Sequence, residues 1–144
     1  MRCIGSPGIK IEPSFLLDTH IVVYWLVSPR KLSREQLRVL REAARHKEPV
    51  AISAITLLEI AVLFGDGGRR QGTHAAAILN KAESSPAFRV VPFTADIATE
   101  VAAIGDALRD PADRAIVCTA RVHGLRLVTS DRRIIDSNFV PVVI

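Results

Sequence analysis

Four carboxylates stand against or inside apolar segments, where a charge is costly unless something compensates it: Asp18 after Leu16-Leu17, Glu59 within Ile55–Ala61, Asp113 after Asp110-Pro111-Ala112, and Asp131 after Leu127-Val128-Thr129-Ser130. Each has an ordinary structural explanation to set against a chemical one. Asp18 and Asp131 read equally well as helix N-caps, Asp110 reads as one, and Asp113 lies three residues on, where an acid favours the positive end of a helix. Glu59 neither starts nor ends a helix, and its neighbours Leu57, Leu58, Ile60 and Ala61 predict a buried acid in need of a partner, a proton or a metal. As a set the four are harder to treat as caps. Two like charges about 4 Å apart repel by ~4 kcal/mol at an effective dielectric of roughly 20, so four acids brought together call for a cation. Mg²⁺ or Mn²⁺, with oxygen ligands and retained waters, would relieve the repulsion, hold a phosphodiester oxygen and lower the pKa of an attacking water.

Positioning these acids requires elements that end at them. Phe15-Leu16-Leu17 is a short apolar strand stopping at Asp18, and Ile21–Leu26 is long enough for a helix that Asp18 or Thr19 would cap. Ser33-Arg34-Glu35-Gln36 resembles a capping box opening a helix to about His46. On it Arg34, Arg38, Arg41 and Arg45 fall within an arc of roughly 60°, while Leu37, Leu40 and Ala44 gather on another side as the expected core face. Val50–Ser53 reads as a buried strand, Ile55–Phe64 as a helix closed by Gly65, Gly65–Gly72 as a flexible basic loop, and Thr73–Glu83 as a helix.

Arg89–Phe93 is the third strand, and Thr94 caps a helix whose Ile97, Val101, Ile104 and Leu108 form a core stripe. Asp110-Pro111 opens a helix that Gly124 ends, with Pro in the favoured first position. Leu125–Thr129 is the fourth strand, Asp131–Asp136 a turn or short helix, and Val140–Ile144 a closing strand whose Pro141 suggests a sheet edge. Short apolar strands alternating with helices indicate an α/β three-layer sandwich, a mostly parallel central sheet flanked by helices. Ligands of such sheets gather at the carboxyl ends of the strands, where Asp18 and Asp131 fall. Residues 1–14, with an edge strand expected around Ile9–Ile11, form an irregular lead-in to one domain spanning 15–144.

Composition narrows the class. A chain of 144 residues with 49% hydrophobic content supports a single folded domain, and a formal charge of +4 is compatible with polyanionic partners. Arginine supplies most of the positive charge, and its planar fork suits phosphate or carboxylate. The arginine stripe thus reads as a solvated face, an RNA-backbone track or a docking surface for an acidic partner. Cys3 and Cys118 lack metal-ligand spacing and Cys118 reads as core; the expected setting is cytoplasmic, with neither signal peptide nor membrane span. His20, His46, His74 and His123 show no mutual spacing that suggests a site. Neither G-x-G-x-x-G nor a P-loop is present. A phosphate-receiver domain also places acids at strand ends, but needs a lysine after its last-but-one strand, and none follows Lys81.

Leu16-Leu17-Asp18-Thr19-His20, Ser53-Ala54 through Leu58-Glu59-Ile60-Ala61, Asp110-Pro111-Ala112-Asp113-Arg114 and Leu127-Val128-Thr129-Ser130-Asp131 together resemble the motifs of PIN-domain ribonucleases, specifically the VapC-type toxins of toxin–antitoxin pairs. The resemblance covers about Phe15 to Ile144. It implies a metal-dependent endoribonuclease leaving a 5′-phosphate and a 3′-hydroxyl. Asp18, Glu59, Asp113 and Asp131 would hold Mg²⁺ or Mn²⁺, with Thr19 orienting the first acid and Thr129 or Ser130 supporting the site through a hydroxyl. Partners implied are an RNA substrate, a cognate antitoxin and a second copy in a homodimer. Arg34, Arg38, Arg41, Arg45 and Arg114 are the candidate RNA or antitoxin contacts. The competing expectation is a non-catalytic RNA- or protein-binding module, or a housekeeping RNA-processing nuclease, on the same fold.

Overall fold

The computed structural model describes residues 11–65 and 75–144. The expected edge strand at Ile9–Ile11 and the glycine-rich basic loop lie wholly or largely outside them. In chain order the elements are β1 (Phe15–Leu17), α1 (Thr19–Val27), a 3₁₀ turn (Pro29–Lys31), α2 (Arg34–Arg45), β2 (Val50–Ser53), α3 (Ala54–Phe64) and α4 (Ala75–Ser84). Then follow β3 (Phe88–Val91), α5 (Ala95–Ile104), a 3₁₀ turn (Gly105–Ala107), α6 (Pro111–His123), β4 (Arg126–Val128), α7 (Arg132–Ser137) and β5 (Val142–Val143).

Among the described residues all strand pairings are parallel, in the order β3-β2-β1-β4-β5. Leu16 lies between Ala51 and Leu127, and Leu17 between Ile52 and Val128. Both leucines are fully buried yet face opposite ways, since successive strand side chains alternate. Leu17 packs with Ile21, Val22, Leu40 and Ile60 under α1 to α4, whereas Leu16 packs with Ile116, Val117 and Ile134 under α6 and α7. This is the expected three-layer sandwich, and it explains why β1 and β2 show no polar alternation: neither face meets water. The acid that ends β1 marks where the chain leaves the double-sided core.

Hydroxyl or carboxylate caps start the helices. Asp18 caps α1, Ser33 α2, Ser53 α3, Thr94 α5, Asp110 α6 and Asp131 α7, each accepting from a backbone N–H of the first turn. Gly124 closes α6 in the left-handed region at φ 65°, where a side chain would be strained.

Several expectations are corrected. The core face of α2 is Gln36, Val39, Leu40 and Ala43; Ala44 is exposed and Leu37 only half-buried. The helix is turned by about one residue because Gln36 goes inside to hydrogen-bond. The α5 stripe breaks at Gly105, whose φ of 58° stops the helix, so Leu108 reaches the core from an extended segment instead. The closing strand is only Val142–Val143, although it is indeed at the edge beside Pro141. Glu59 is half-buried rather than enclosed, because Leu58 and Val62 of the same helix point to solvent, 60% and 69% exposed. Cys118 is buried as expected.

Candidate active site

The chain builds outward from β1 to β2 and β3 in one direction and places β4 and β5 on the other side, so strand order reverses between β1 and β4. Open α/β sheets bind ligands in the crevice outside the strand carboxyl ends at such a switch point. Asp18 follows β1 and Thr129-Ser130-Asp131 follow β4, flanking that point. The ladder continues one residue past each strand, Asp18 N–H donating to the Val128 carbonyl at 3.0 Å and Thr129 N–H to that of Val143 at 3.1 Å. The two turns therefore leave the sheet side by side.

Thr129, fully buried, joins them. Its hydroxyl donates to Asp18 Oδ2 at 2.7 Å and accepts from the Asp131 N–H at 3.0 Å. The other Asp18 oxygen, Oδ1, accepts from Thr19 N–H at 2.8 Å. Thr19 turns its hydroxyl toward α3, donating to Glu59 Oε1 and lying 3.2 Å from the Thr56 hydroxyl. Asp113 comes from the first turn of α6 and is buried. Arg133 on α7 spans two acids, its guanidinium 2.9 Å from Asp131 Oδ2 and 3.4 Å from Asp113 Oδ2. Thr129→Val, which keeps the shape and removes the hydroxyl, should lower the unfolding free energy in urea by about 1–3 kcal/mol through the orphaned Asp131 N–H and Asp18 oxygen.

A cavity of about 410 Å³ opens here, lined by Asp18, Thr19, Glu59, Asp113, Ser130 and Asp131, together with His20, Ile21, Tyr24, Asp110 and Arg133. All four acids singled out in the sequence thus face one space, supplied by β1, α3, α6 and the β4–α7 turn. Thr129 lies behind its wall. Arg34, Arg38, Arg41 and Arg45 line a separate groove on the outer face of α2 with Leu37 and Glu42. There Arg38 pairs with Glu35 and Arg45 with Glu42, so part of the stripe's charge is met within its own helix. Arg114 does not face the cavity in this way: its guanidinium donates to the carbonyls of Gly105 and Arg109, both at 3.3 Å, and ties down the α5–α6 connection.

Sequence reading missed three contributors. Asp110 reads in the sequence only as a cap, yet its charge also acts on Asp113. Arg133 had no signal beyond lying two residues after an acid. Gln36 had one, being a polar side chain at the i position of an i, i+3, i+4, i+7 pattern.

Electrostatics separate the acids. Burial pushes Asp18 above the ordinary carboxylate range, more than its bonds from Thr129 and Thr19 pull it down. Burial, then repulsion from Asp110, Asp18 and Asp131, lifts Asp113 to about 7. Asp131 moves the opposite way, held low chiefly by the Arg133 hydrogen bonds. Among the described residues, no three His, Cys, Asp or Glu side chains are arranged to grip a metal ion as they stand. Each acid instead has a partner within the protein: Asp18 is held by Thr19 and Thr129, Glu59 by Thr19, and Asp113 and Asp131 by Arg133. The chemistry of the donor set nevertheless fits a hard divalent cation. It consists of carboxylate oxygens, and five acids share the cavity with Arg133 as its arginine or lysine counter-charge; burial first, and repulsion among the acids after it, makes Asp18 and Asp113 resist ionisation.

Residues 15–139 match the PIN domain family. The chain is 35% identical over 120 residues to Ribonuclease VapC22 of Mycobacterium tuberculosis, covering 83% of this chain and 88% of that protein. A toxin–antitoxin complex from Klebsiella pneumoniae contains a chain that is 25% identical and superposes with a TM-score of 0.59, over 91% of this chain and 97% of that one. VapBC2 from Rickettsia felis, solved with a DNA fragment from its promoter, shares the fold at a TM-score of 0.67, with 19% identity over 89% of this chain and 96% of its counterpart. With four acids converging at the switch point of a parallel sheet, and these likenesses running nearly end to end, the chain belongs to the PIN-domain family, in its VapC group.

Proposed function

We propose that the protein is an endoribonuclease dependent on Mg²⁺ or Mn²⁺ and the toxin of a toxin–antitoxin pair. The observation that carries this reading is the convergence of Asp18, Glu59, Asp113 and Asp131 on one cavity in a chain 35% identical to a VapC ribonuclease. Those four acids would hold the cation. When bound, it supplies Lewis-acid polarisation of a phosphoryl oxygen and acidifies an attacking water.

The chain's own residues prepare that space. Thr129 and the Thr19 N–H orient the two Asp18 oxygens, and the Thr19 hydroxyl orients Glu59. Arg133 stands at the cavity rim, 69% exposed, where its fork can turn from the carboxylates to the backbone of an entering RNA. Residues 15–144 form the nuclease domain in this reading and 1–14 its lead-in. Partners are RNA, a cognate antitoxin and a second copy of the chain, in the cytoplasm. The Klebsiella pneumoniae complex supports the antitoxin. Among the described residues no helix is long and apolar enough to cross a membrane.

The test pairs cleavage with binding. Purified protein should cut a synthetic RNA with Mg²⁺ or Mn²⁺, stop when EDTA is added, and gain about 5–10 °C in Tm at a cation concentration a hundredfold above Kd. RNA binding with no cleavage and no cation-linked rise in Tm would point to the non-catalytic module and sink the proposal.

A further inference from the structure

Gln36 has no exposed surface and every polar atom of its side chain is engaged. Its Oε1 accepts from the Ser33 N–H at 2.9 Å, and its own N–H donates to Ser33 Oγ at 3.0 Å, completing the capping box of α2. A capping box asks only for an acceptor at this position; glutamate serves as well. The two protons of Nε2 go elsewhere, to the Thr129 carbonyl at 3.3 Å and to Ser130 Oγ at 3.0 Å. Both acceptors lie between the end of β4 and Asp131.

We infer that Gln36 is a positioning residue, which locks the Thr129-Ser130-Asp131 turn so that the Thr129 hydroxyl stays between Asp18 and Asp131. It makes no hydrogen bond to the acids and acts through the turn. On one side the turn is held by Thr129 N–H to the Val143 carbonyl, and on the other by the Gln36 amide. The turn carries Asp131 directly and Asp18 through the hydroxyl, so one buried side chain sets the relation between two site acids. Its cost is visible in the fold: a polar group takes a position on the core face of α2 that an apolar residue would otherwise fill. The effect on turnover rests on the proposed function; the locking of the turn does not.

Two variants separate locking from capping. Ser33→Ala removes the acceptor for the Gln36 N–H and leaves both Nε2 contacts, whereas Gln36→Met keeps that N–H bond to Ser33 Oγ and loses the Oε1 arm of the capping box together with the lock. Hydrogen exchange on the full chain in EDTA reads the turn directly. In Gln36→Met, which loses both Nε2 hydrogen bonds to the turn, the amides of Thr129 and Asp131 should exchange faster by on the order of tenfold or more. Ser33→Ala should lower Tm and leave those amides unchanged. In the cleavage assay Gln36→Met should reduce kcat by about 10–100-fold with KM for RNA unchanged, as outer supporting groups of metal sites do.

Should Gln36→Met fail to fold, Ser130→Ala removes one Nε2 acceptor from the other side, and the same amides should lose protection. Unchanged protection in Gln36→Met, or in Ser130→Ala where that variant stands in, overturns the inference. So does a Ser33→Ala variant that loosens the turn as much as Gln36→Met. If the wild-type protein cuts no RNA, the proposed function fails while the exchange measurements still decide what Gln36 does.

Discussion

Replacing Asp18 by asparagine is expected to cut RNA cleavage by about 10²–10³-fold or more while raising the Tm of the cation-free protein. The two effects come from one cause. Asp18 is 8% exposed, and burial raises its pKa more strongly than the bonds from Thr129 and Thr19 lower it. A folded-state pKa above the unfolded one means that ionised Asp18 opposes folding at neutral pH, so a neutral amide of the same shape removes a penalty. Asparagine keeps an oxygen for the Thr19 N–H that starts α1, so the cap survives; its amide group reverses the bond to Thr129, donating to the hydroxyl that in the wild type donates to Asp18, while that hydroxyl still accepts from the Asp131 N–H. What it lacks is negative charge for a cation. The measurement is Tm with EDTA alongside single-turnover cleavage with Mg²⁺. A variant that still cleaves, or one that melts well below the wild type without cation, would show that Asp18 serves packing rather than chemistry.

The acids were legible because of where they interrupt the apolar pattern. A strand buried on both faces cannot carry a charge, so Asp18 and the Thr129-Ser130-Asp131 segment had to lie where β1 and β4 leave the sheet, and parallel pairing put those exits together. Helix starts were equally readable, since Ser33, Thr94 and Asp110 are caps by local chemistry alone. What failed was anything decided by a distant partner. Leu37, Leu40 and Ala44 make a reasonable apolar face for α2, but the hydrogen bonds offered by Thr129 and Ser130, some 93 residues away, turn the helix to bury Gln36 instead. Glu59 looked enclosed because its neighbours are apolar, yet an all-apolar helix does not say which side faces water, and Leu58 and Val62 do. Arg114 beside Asp113 looked available for substrate, but carbonyls of the α5–α6 connection claim it. Arg133 gave no sequence signal, because its role depends on Asp113 arriving from another helix.

Without cation, stability is expected to fall as pH rises from about 4 to about 7 and to level off above that, opposite to the trend of a protein held by paired carboxylates. Asp113 sets the window, since its pKa is lifted from 3.8 to about 7. Between those values the folded protein binds a proton that the unfolded chain has released, and each pH unit weakens folding. The rise from 3.8 to about 7 corresponds to about 4 kcal/mol at most. Asp18 is shifted in the same direction and adds to the loss. Asp131 is shifted the other way, but its depressed pKa places its effect below the unfolded value of 3.8, where stability drops as pH falls, so it does not offset Asp113 in this window. Adding Mg²⁺ should reverse the slope, because a cation competes with the protons for the same oxygens and binds best once they are gone. Urea denaturation at half-unit steps from pH 4.5 to 8, with EDTA and then with excess MgCl₂, reads both curves. Cation-free stability that climbs between pH 5 and 7 would mean that Asp113 is not held protonated by burial and its acidic neighbours, and curves that stay parallel with and without Mg²⁺ would mean that the acids share no ion.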